Sequence, residues 1–149
     1  MKLKIVNKSG NALPEYKTPD SSGMDLRAYL PEGSIVLNPM ERKVIPTGLY
    51  MEIEPGHEGQ VRPRSGCAVK QGLTVINAPG TIDADYRGEV GVPLINLSTE
   101  PQTIENGDRI AQIVFAPYAK VEEIIEVSSV EELTDTERGA GGFGHSGKK

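Results

Sequence analysis

Residues 80–89 combine the side chains of this chain that are best suited to catalysis. They read Gly-Thr-Ile-Asp-Ala-Asp-Tyr-Arg-Gly-Glu and follow the sequence Asn-Ala-Pro at 77–79. Glycine, aspartate and arginine are poor residues for a strand interior, so this composition predicts a hairpin built around a site. In an extended backbone Asp83 and Asp85 point to one face, and residues 85–88 then have the chemistry of a turn. A solvated surface hairpin is the alternative interpretation.

Short stretches rich in branched aliphatic residues surround this segment. The chain has 12 Val and 12 Ile against 10 Leu, and no Trp. Branched side chains favour strands, and turn sequences about every ten residues are typical of an all-β sandwich, jelly roll or barrel. Residues 66–71 are the one good helix candidate. The predicted strands are 2–6, 34–37, 42–45, 49–53, 58–62, 73–76, 90–97 and 110–115.

Length and charge limit the class of protein. A chain of 149 residues predicts one domain with a modest core. The net charge of -5 argues against a nucleic-acid partner, which would need a basic surplus. A local anion site is still open, and its candidate cations are Arg62, Arg64, Lys70, Arg109 and Arg138.

Cysteine usage and hydropathy predict a cytoplasmic protein. Cys67 is the single cysteine, so no intrachain disulfide can form, and we expect a buried and inert thiol. The N-terminus is too briefly apolar for a signal peptide, and no apolar run approaches the length of a membrane span. We therefore expect no membrane partner.

The C-terminal residues 128–149 differ in composition from the rest of the chain. Five of the nine residues 139–147 are glycine, and the preceding stretch is acidic. Such a segment buries too little apolar surface to offset its backbone entropy, so we expect a β-barrel domain over 1–127 followed by a flexible arm. Residues 142–147 satisfy the G-x-G-x-x-G pattern, but no helix follows, which excludes a dinucleotide fingerprint.

Four further segments combine glycine with charged or polar residues in the same way as 80–89. Together the five segments resemble, in order, the sequence blocks of the dUTP diphosphatase (dUTPase) family, from about residue 20 to residue 147. Four positions depart from the usual pattern: Ser22 replaces Ala, Cys67 replaces a commoner Leu, and residues 145–146 read His-Ser where many relatives have Ser-Thr. The other four segments are 22–28, 63–70, 107–112 and 138–147.

The resemblance implies a fold, a reaction and an assembly. The implied fold is an all-β, jelly-roll-like barrel or sandwich with one short helix and a flexible glycine-rich C-terminal arm. The implied reaction is hydrolysis of dUTP to dUMP and pyrophosphate with Mg²⁺, which limits uracil in DNA and supplies dUMP for thymidylate synthesis. The implied assembly is a homotrimer whose sites each draw on three subunits.

The resemblance also implies roles for individual residues. Asp83 would be the catalytic base, Tyr86 would pack on the deoxyribose, and Asp25 would contact Mg²⁺ through metal-bound water. The uracil edge would be read by Asn77 and by hairpin backbone groups at Thr81, Ile82 and Gly91. Phe143 would stack on uracil. The phosphates would be held by Arg64, Ser65, Gly66, Gln112, Arg138, His145 and Ser146.

Alternatives remain for several of these assignments. Ser65 could be an ordinary helix N-cap, and Gln112 could be a polar residue on the outer face of a strand. A dCTP deaminase of the same fold is the second functional candidate, although its hairpin typically has Glu where Asp83 stands. A non-enzymatic nucleotide-sensing module is the third, but the interval 115–138 is too short for the extra domain found in regulatory phage relatives.

Overall fold

The computed structural model describes residues 1–142 of the chain. Two compact units are present, Met1–Ala119 and Lys120–Lys149. Within the described residues there are ten strands, one α-helix and one 3₁₀ turn, so the prediction of an all-β fold with one short helix is confirmed. None of the helices in this part of the chain has the length and apolar character needed to cross a membrane.

The first unit holds all ten strands and the helix α1. The helix spans Ser65–Gln71, close to the predicted 66–71. The strands are β1 Leu3–Asn7, β2 Met24–Arg27, β3 Ile35–Leu37, β4 Arg42–Ile53, β5 His57–Arg62, β6 Leu73–Val75, β7 Gly80–Ile82, β8 Glu89–Asn96, β9 Gln102–Ile104 and β10 Arg109–Pro117.

The strands form three open antiparallel sheets. The first has the order β1-β4-β8-β6, the second β2-β10-β5-β7, and the third pairs β3 with β9. No sheet in the described part of the chain closes on itself. Of the two expected architectures, the sandwich therefore describes the fold and the closed barrel does not.

A single hydrophobic core joins the two four-stranded sheets. Ile45 of β4 comes from the first sheet, while Leu26 of β2 and Ile113 of β10 come from the second, and all three are fully buried. Side chains alternate along each strand, so Asp25 stands away from the core that its neighbours enter. Because burying a large aliphatic side chain contributes about 1.5–3 kcal/mol, this core supplies the rigid base for the polar loops.

The predicted strand pattern was incomplete in two ways. The segments 42–45 and 49–53 are one strand, β4, whose pairing with β8 shifts register between Pro46 and Tyr50. Strands β2, β7 and β9 were missed because each has only three or four residues and polar or glycine positions. The intervals 46–48 and 80–82 therefore lie outside the predicted strands although both belong to strands in the structure.

The expected hairpin at 80–89 is wrong in its pairing. Strand β7 pairs with β5 in the second sheet, whereas β8 pairs with β4 and β6 in the first. Residues 83–88 therefore connect two sheets. The turn also begins two residues earlier than predicted, since the Tyr86 N–H donates to the Asp83 carbonyl at 3.1 Å.

The second unit carries little regular structure over its described part, residues 120–142. A 3₁₀ turn spans Val130–Glu132. Val121, Ile124 and Ile125 are all strongly exposed. Three residues assigned to the arm, Phe143, His145 and Ser146, lie outside the described part of the chain.

Candidate active site

A cleft of about 370 Å³ lies between β7 and the first half of β8. Strand β7 is the edge strand of its sheet, with β5 as its ladder partner within residues 1–142. Strand β8 pairs with β6 only from Leu94 onward, so residues 89–92 have β4 as their ladder partner. Because the two segments diverge into different sheets, each turns an unpaired row of main-chain donors and acceptors toward solvent. The cleft is lined by Val44, Val61, Asn77, Gly80, Thr81, Ile82, Asp83, Tyr86, Glu89, Gly91 and Pro93. We call it the main-chain cleft.

Two glycines allow close approach at the walls of the main-chain cleft. A Cβ at Gly91 would stand 2.7 Å from Cγ1 of Val44, which is far inside van der Waals contact. A Cβ at Gly80 would stand 3.2 Å from Nδ2 of Asn77. Glycine is therefore the residue that leaves the Gly91 backbone and the Asn77 carboxamide accessible at the cleft wall.

The loop after β7 places Asp83 and Tyr86 at the rim of the main-chain cleft. Both side chains are exposed. The Tyr86 hydroxyl donates to the carbonyl of Glu89 at 3.0 Å, and its ring covers Gly88, where any Cβ would overlap it. The hydrogen bond and the contact with Gly88 hold the ring against the loop, and Tyr86 remains 43% exposed.

A second cleft, of about 450 Å³, is built from charged side chains. Arg64 Nε lies 2.7 Å from Oδ1 of Asp25, and Arg109 Nη1 lies 3.2 Å from Oδ2 of the same carboxylate. Two guanidinium groups around one carboxylate leave a surplus of positive charge, which Lys70 increases and Asp108 of the same cleft reduces, so the surplus is one positive charge. This arrangement suits an anion with several oxygen atoms, and the planar donor group of arginine matches the geometry of a phosphate. We call it the cationic cleft, and its residues are Arg64, Gly66, Cys67, Lys70, Gln71, Leu73, Thr103, Ile104, Asp108, Arg109 and Ile110.

The start of α1 forms one wall of the cationic cleft. Arg64 occupies the N-cap position with an extended backbone, and its side chain makes no cap hydrogen bond. Ser65 is the first helical residue, so its assignment as an ordinary N-cap is wrong. Gly66 has no atom within 4 Å of its would-be Cβ, so nothing within residues 1–142 requires glycine there.

Gln112 is fixed beside Asp25 by strand pairing. It stands opposite Asp25 on β2 and opposite Arg62 on β5. Its Nε2 donates to the Pro63 carbonyl at 2.9 Å, and its Oε1 occupies space that a Cβ at Gly23 would need. The side chain lies on the face of β10 that points away from the core, as the alternative interpretation expects, and it is half-buried and oriented by these contacts.

Most of the candidate residues within 1–142 fall into two groups, and Ser65 and Gln112 line neither cleft. Asn77, Thr81, Ile82, Asp83, Tyr86 and Gly91 line the main-chain cleft, whereas Arg64 and Gly66 line the cationic cleft and are joined there by Asp25. No residue lines both clefts. Strands β2 and β7 are separated by β10 and β5, which sets them roughly 14 Å apart at the usual strand spacing. Of the five predicted cations, Arg64, Lys70 and Arg109 line the cationic cleft. The other two do not: Arg62 donates to Gln60, and Arg138 donates to Gly141 in the second unit.

Three residues with structural contacts at these clefts were given no role from the sequence. Arg87 donates to two carbonyls of the Asp83 loop, and Glu89 accepts from the Gly48 N–H at 2.7 Å. Val44 lies on the neighbouring strand β4, diagonally beside Gly91 on the same wall of the main-chain cleft. The charges of Arg87 and Glu89 within 80–89 were a signal that could have found them, but Val44 reads as an ordinary strand residue.

The charged side chains of the cationic cleft could hold a magnesium ion only if a bound substrate supplied further oxygen ligands. Within residues 1–142 no cluster of three or more His, Cys, Asp or Glu side chains could enclose a metal. Asp25 offers a single carboxylate, and both of its oxygens already accept from arginine. Magnesium commonly keeps several waters and binds one or two carboxylates plus substrate phosphates, and a carboxylate has acceptor sites beyond two hydrogen bonds. Asp25 therefore fits contact through metal-bound water.

Comparison with known proteins assigns the chain to a family. The dUTPase family model matches residues 10–147. The chain is 56% identical over 147 residues to the deoxyuridine 5'-triphosphate nucleotidohydrolase of Finegoldia magna, covering 99% of both chains. The chain belongs to the dUTPase family. It is therefore an enzyme of the nucleotidohydrolase class, and the resemblance of the five blocks is confirmed.

Solved dUTPase structures share the fold. The dUTPase of Staphylococcus bacteriophage 80alpha, in a mutant form with dUpNHpp, superposes with a TM-score of 0.82 at 28% identity and covers 98% of both chains. A mutant dUTPase from phage phi11 of S. aureus, which coordinates a structural Mg(II) ion, has a TM-score of 0.71 at 26% identity over 88% of this chain and 99% of that one. The family assignment also decides against the sibling dCTP deaminase as the better description of the chain.

Proposed function

We propose that this dUTPase hydrolyses dUTP to dUMP and pyrophosphate in the cytoplasm. The observation that carries the proposal is the main-chain cleft, where two diverging strands expose backbone donors and acceptors beside an exposed carboxylate. A flat heterocycle with alternating carbonyl and N–H groups can complete the hydrogen bonds that such edges lack. The phage 80alpha relative with dUpNHpp, a dUTP analogue, supports the choice of nucleotide.

The base would be selected by main-chain groups and by close walls. Backbone groups of Thr81, Ile82 and Gly91, with the Asn77 carboxamide, would pair with the uracil edge. Cytosine presents a donor where uracil presents an acceptor, so its binding would leave buried polar groups unpaired. The narrow wall at Gly91 and Val44 would reject the thymine methyl group by contact.

The sugar would be selected by Tyr86. Its ring is fixed along the loop by the hydroxyl bond to Glu89 and by Gly88 beneath it. A deoxyribose can lie against the free face of such a ring. A 2′-hydroxyl would need room that this fixed ring does not give, so UTP should bind poorly.

The reaction would begin with a water beside Asp83. The Asp83 carboxylate takes a proton from the water, and the resulting hydroxide forms a bond to the α-phosphorus. The bond between the α-phosphorus and the bridging oxygen to the β-phosphorus breaks, and pyrophosphate leaves with that electron pair. Asp83 then holds the proton and returns it to solvent.

The phosphates would be held by the cationic cleft. The guanidinium of Arg64, the hydroxyl of Ser65, the backbone at Gly66 and the carboxamide of Gln112 are the proposed donors. Magnesium, held by the phosphates and through water by Asp25, would supply further neutralisation of negative charge when bound. The magnesium site of the phi11 dUTPase supports a metal in this family.

A homotrimer would bring the two clefts to one substrate. Because the clefts share no residue in one chain, a substrate that needs both can use the main-chain cleft of one copy and the cationic cleft of another. The arm, residues 128–149 with Arg138, Phe143, His145 and Ser146, would close over the nucleotide from a further copy, stacking on uracil and pairing with the distal phosphates.

Product analysis with four nucleotides tests the proposed function. The protein is incubated with dUTP, dCTP, dTTP and UTP in the presence of Mg²⁺, and the products are separated by ion-exchange chromatography. We expect dUMP and pyrophosphate from dUTP, with turnover of the other three lower by at least about a hundredfold. Formation of dUTP from dCTP would assign the deaminase reaction, and comparable hydrolysis of UTP would exclude the role of Tyr86.

A further inference from the structure

One guanidinium spans the loop that carries Asp83. Arg87 Nη1 donates to the carbonyl of Ala84 at 2.7 Å and to the carbonyl of Tyr86 at 2.9 Å. These two carbonyls flank Asp85 at the crest of the Asp83–Tyr86 turn. A single planar donor group therefore fixes the separation of two points on the turn.

The loop depends on such contacts because it lies outside every ladder. Residues 83–88 follow the last paired residue of β7 and precede the first of β8. Within the described chain its internal bonds are the Tyr86 N–H to the Asp83 carbonyl, the Tyr86 hydroxyl to Glu89, and the two bonds from Arg87. Arg87 supplies the charged donor in this set.

Arg87 does not reach the substrate cleft itself. It is absent from the lining of the main-chain cleft and lines a different groove, together with Lys4, Lys8, Tyr50 and Glu52. The residues that would read the base belong to β7 and β8 and are held by strand pairing. Loss of Arg87 should therefore disturb Asp83 and leave base recognition in place.

We infer that Arg87 is a positioning residue for the reaction, whose guanidinium holds the turn that aims the Asp83 carboxylate at the attacking water. The inference rests on the proposed function for its catalytic consequence. A misplacement of about 1 Å in a catalytic group can cost about a hundredfold in rate, so a residue that only sets the shape of this loop can have a large effect on kcat.

The test compares Arg87→Ala and Arg87→Lys with a matched control, Lys4→Ala. Lys4 lines the same groove and carries the same charge, but it pairs with Glu52 and makes no bond to the loop. For each variant we would measure kcat and KM for dUTP, the melting temperature, and the hydrogen-exchange rate of the Tyr86 amide by NMR. The Arg87→Ala variant would also be assayed with millimolar guanidinium chloride.

The expected result separates catalysis from folding. For Arg87→Ala, kcat should fall about 10- to 100-fold with KM within about threefold of the parent. The melting temperature should stay within about 2 °C because Arg87 is exposed and Ala84 is the one residue of the loop that packs against the core. Added guanidinium should restore part of kcat, Arg87→Lys should retain an intermediate kcat, and the Tyr86 amide should exchange faster. Lys4→Ala should match the parent in every measurement.

Several outcomes would overturn the inference. A kcat of Arg87→Ala within twofold of the parent would do so, as would an equal loss in Lys4→Ala. A fall in kcat that follows a large fall in melting temperature, with no recovery by guanidinium, would assign Arg87 a structural role instead. If the parent itself fails to hydrolyse dUTP, the proposed function is wrong. In that case the Tyr86 exchange rate still decides whether Arg87 holds the loop.

Discussion

The two clefts of this dUTPase differ in the groups that line them: one presents mainly backbone groups and the other mainly charged side chains. The main-chain cleft uses strand edges, glycines and one carboxamide, and Asp83 at its rim is held by a loop. The cationic cleft uses long charged side chains gathered around Asp25. Backbone groups have fixed positions and can discriminate bases by hydrogen-bond pattern, whereas guanidinium groups supply strong and adaptable attraction for phosphate. The difference predicts that substitutions in the main-chain cleft lower base selectivity and kcat. Substitutions in the cationic cleft should instead lower the affinity for the phosphates.

The largest effect should come from Asp83 in the main-chain cleft. Asp83→Asn keeps the shape of the side chain and removes its basicity, so kcat should fall by roughly 10²–10⁴-fold while dUTP still binds. Steady-state kinetics and calorimetric titration with a non-hydrolysable dUTP analogue measure the two quantities. Near-normal kcat in this variant would exclude Asp83 as the base.

A smaller effect of a different kind should come from Arg64 in the cationic cleft. Arg64→Gln removes a guanidinium that pairs with Asp25, so kcat/KM for dUTP should fall about 10- to 100-fold with the larger part in KM. The preference for dUTP over dTTP should remain. A loss of base selectivity, measured as the ratio of kcat/KM values, would contradict the separation of roles between the clefts.

A substitution at Gly91 should weaken binding of the base and leave binding of the phosphates unchanged, the converse of the Arg64 result. In Gly91→Ala the new Cβ would meet Val44, which must shift and narrow the main-chain cleft. We expect about a tenfold rise in KM for dUTP with little change in inhibition by pyrophosphate, which needs only the cationic cleft. The double variant Gly91→Ala with Val44→Ala should recover dUTP affinity and admit dTTP more readily. Unchanged KM in the single variant would show that this wall does not contact the base.

The smallest effect concerns a groove that touches neither cleft. A hydrogen bond from Lys4, and then its charge, lower the pKa of the exposed Glu52 carboxyl. Lys4→Gln should raise this pKa toward its ordinary value, as a carbon-13 NMR titration would measure. Because the folded pKa is the lower one, the pair's small contribution to stability is present above the unfolded pKa and lost as pH falls through the folded pKa. Parent and variant should therefore have the same free energy of unfolding at strongly acidic pH. A difference in that free energy found only at strongly acidic pH would contradict the assignment of the lowered pKa to the Lys4–Glu52 pair.

The sequence predicted the parts of this fold that depend on local pattern. Branched aliphatic runs and turn residues gave the all-β class, the helix at 65–71 and most strands. It failed at β7 because the partner of Gly80–Ile82 is β5, about twenty residues away in sequence, and no local pattern specifies that choice. The residues 80–89 consequently resembled a paired hairpin when they connect two sheets.

The same distinction applies to the candidate site. Single residues such as Asp83 and Arg64 could be chosen from composition and family resemblance. Their grouping could not, since Asp25 meets Arg64 and Arg109 across 39 and 84 residues of sequence. The contacts of Arg87 could not be predicted from the sequence either. Its guanidinium binds backbone carbonyls, which every residue has, so no residue type marks the partner.

Mixing two impaired variants tests whether the two clefts act on one substrate from different copies of the chain. Asp83→Asn and Arg64→Gln proteins would be unfolded together in equal amounts, refolded and assayed with dUTP well below the parent KM, with each variant refolded alone as control. At that concentration the rate follows kcat/KM, so each variant alone should keep no more than about a tenth of the parent activity. In a cyclic trimer each mixed assembly holds one site in which both residues are intact, and about three quarters of randomly formed trimers are mixed. We expect recovery of about a quarter of the parent activity under these conditions. Activity no higher than that of the separate variants, in trimers verified as mixed by mass spectrometry, would contradict it.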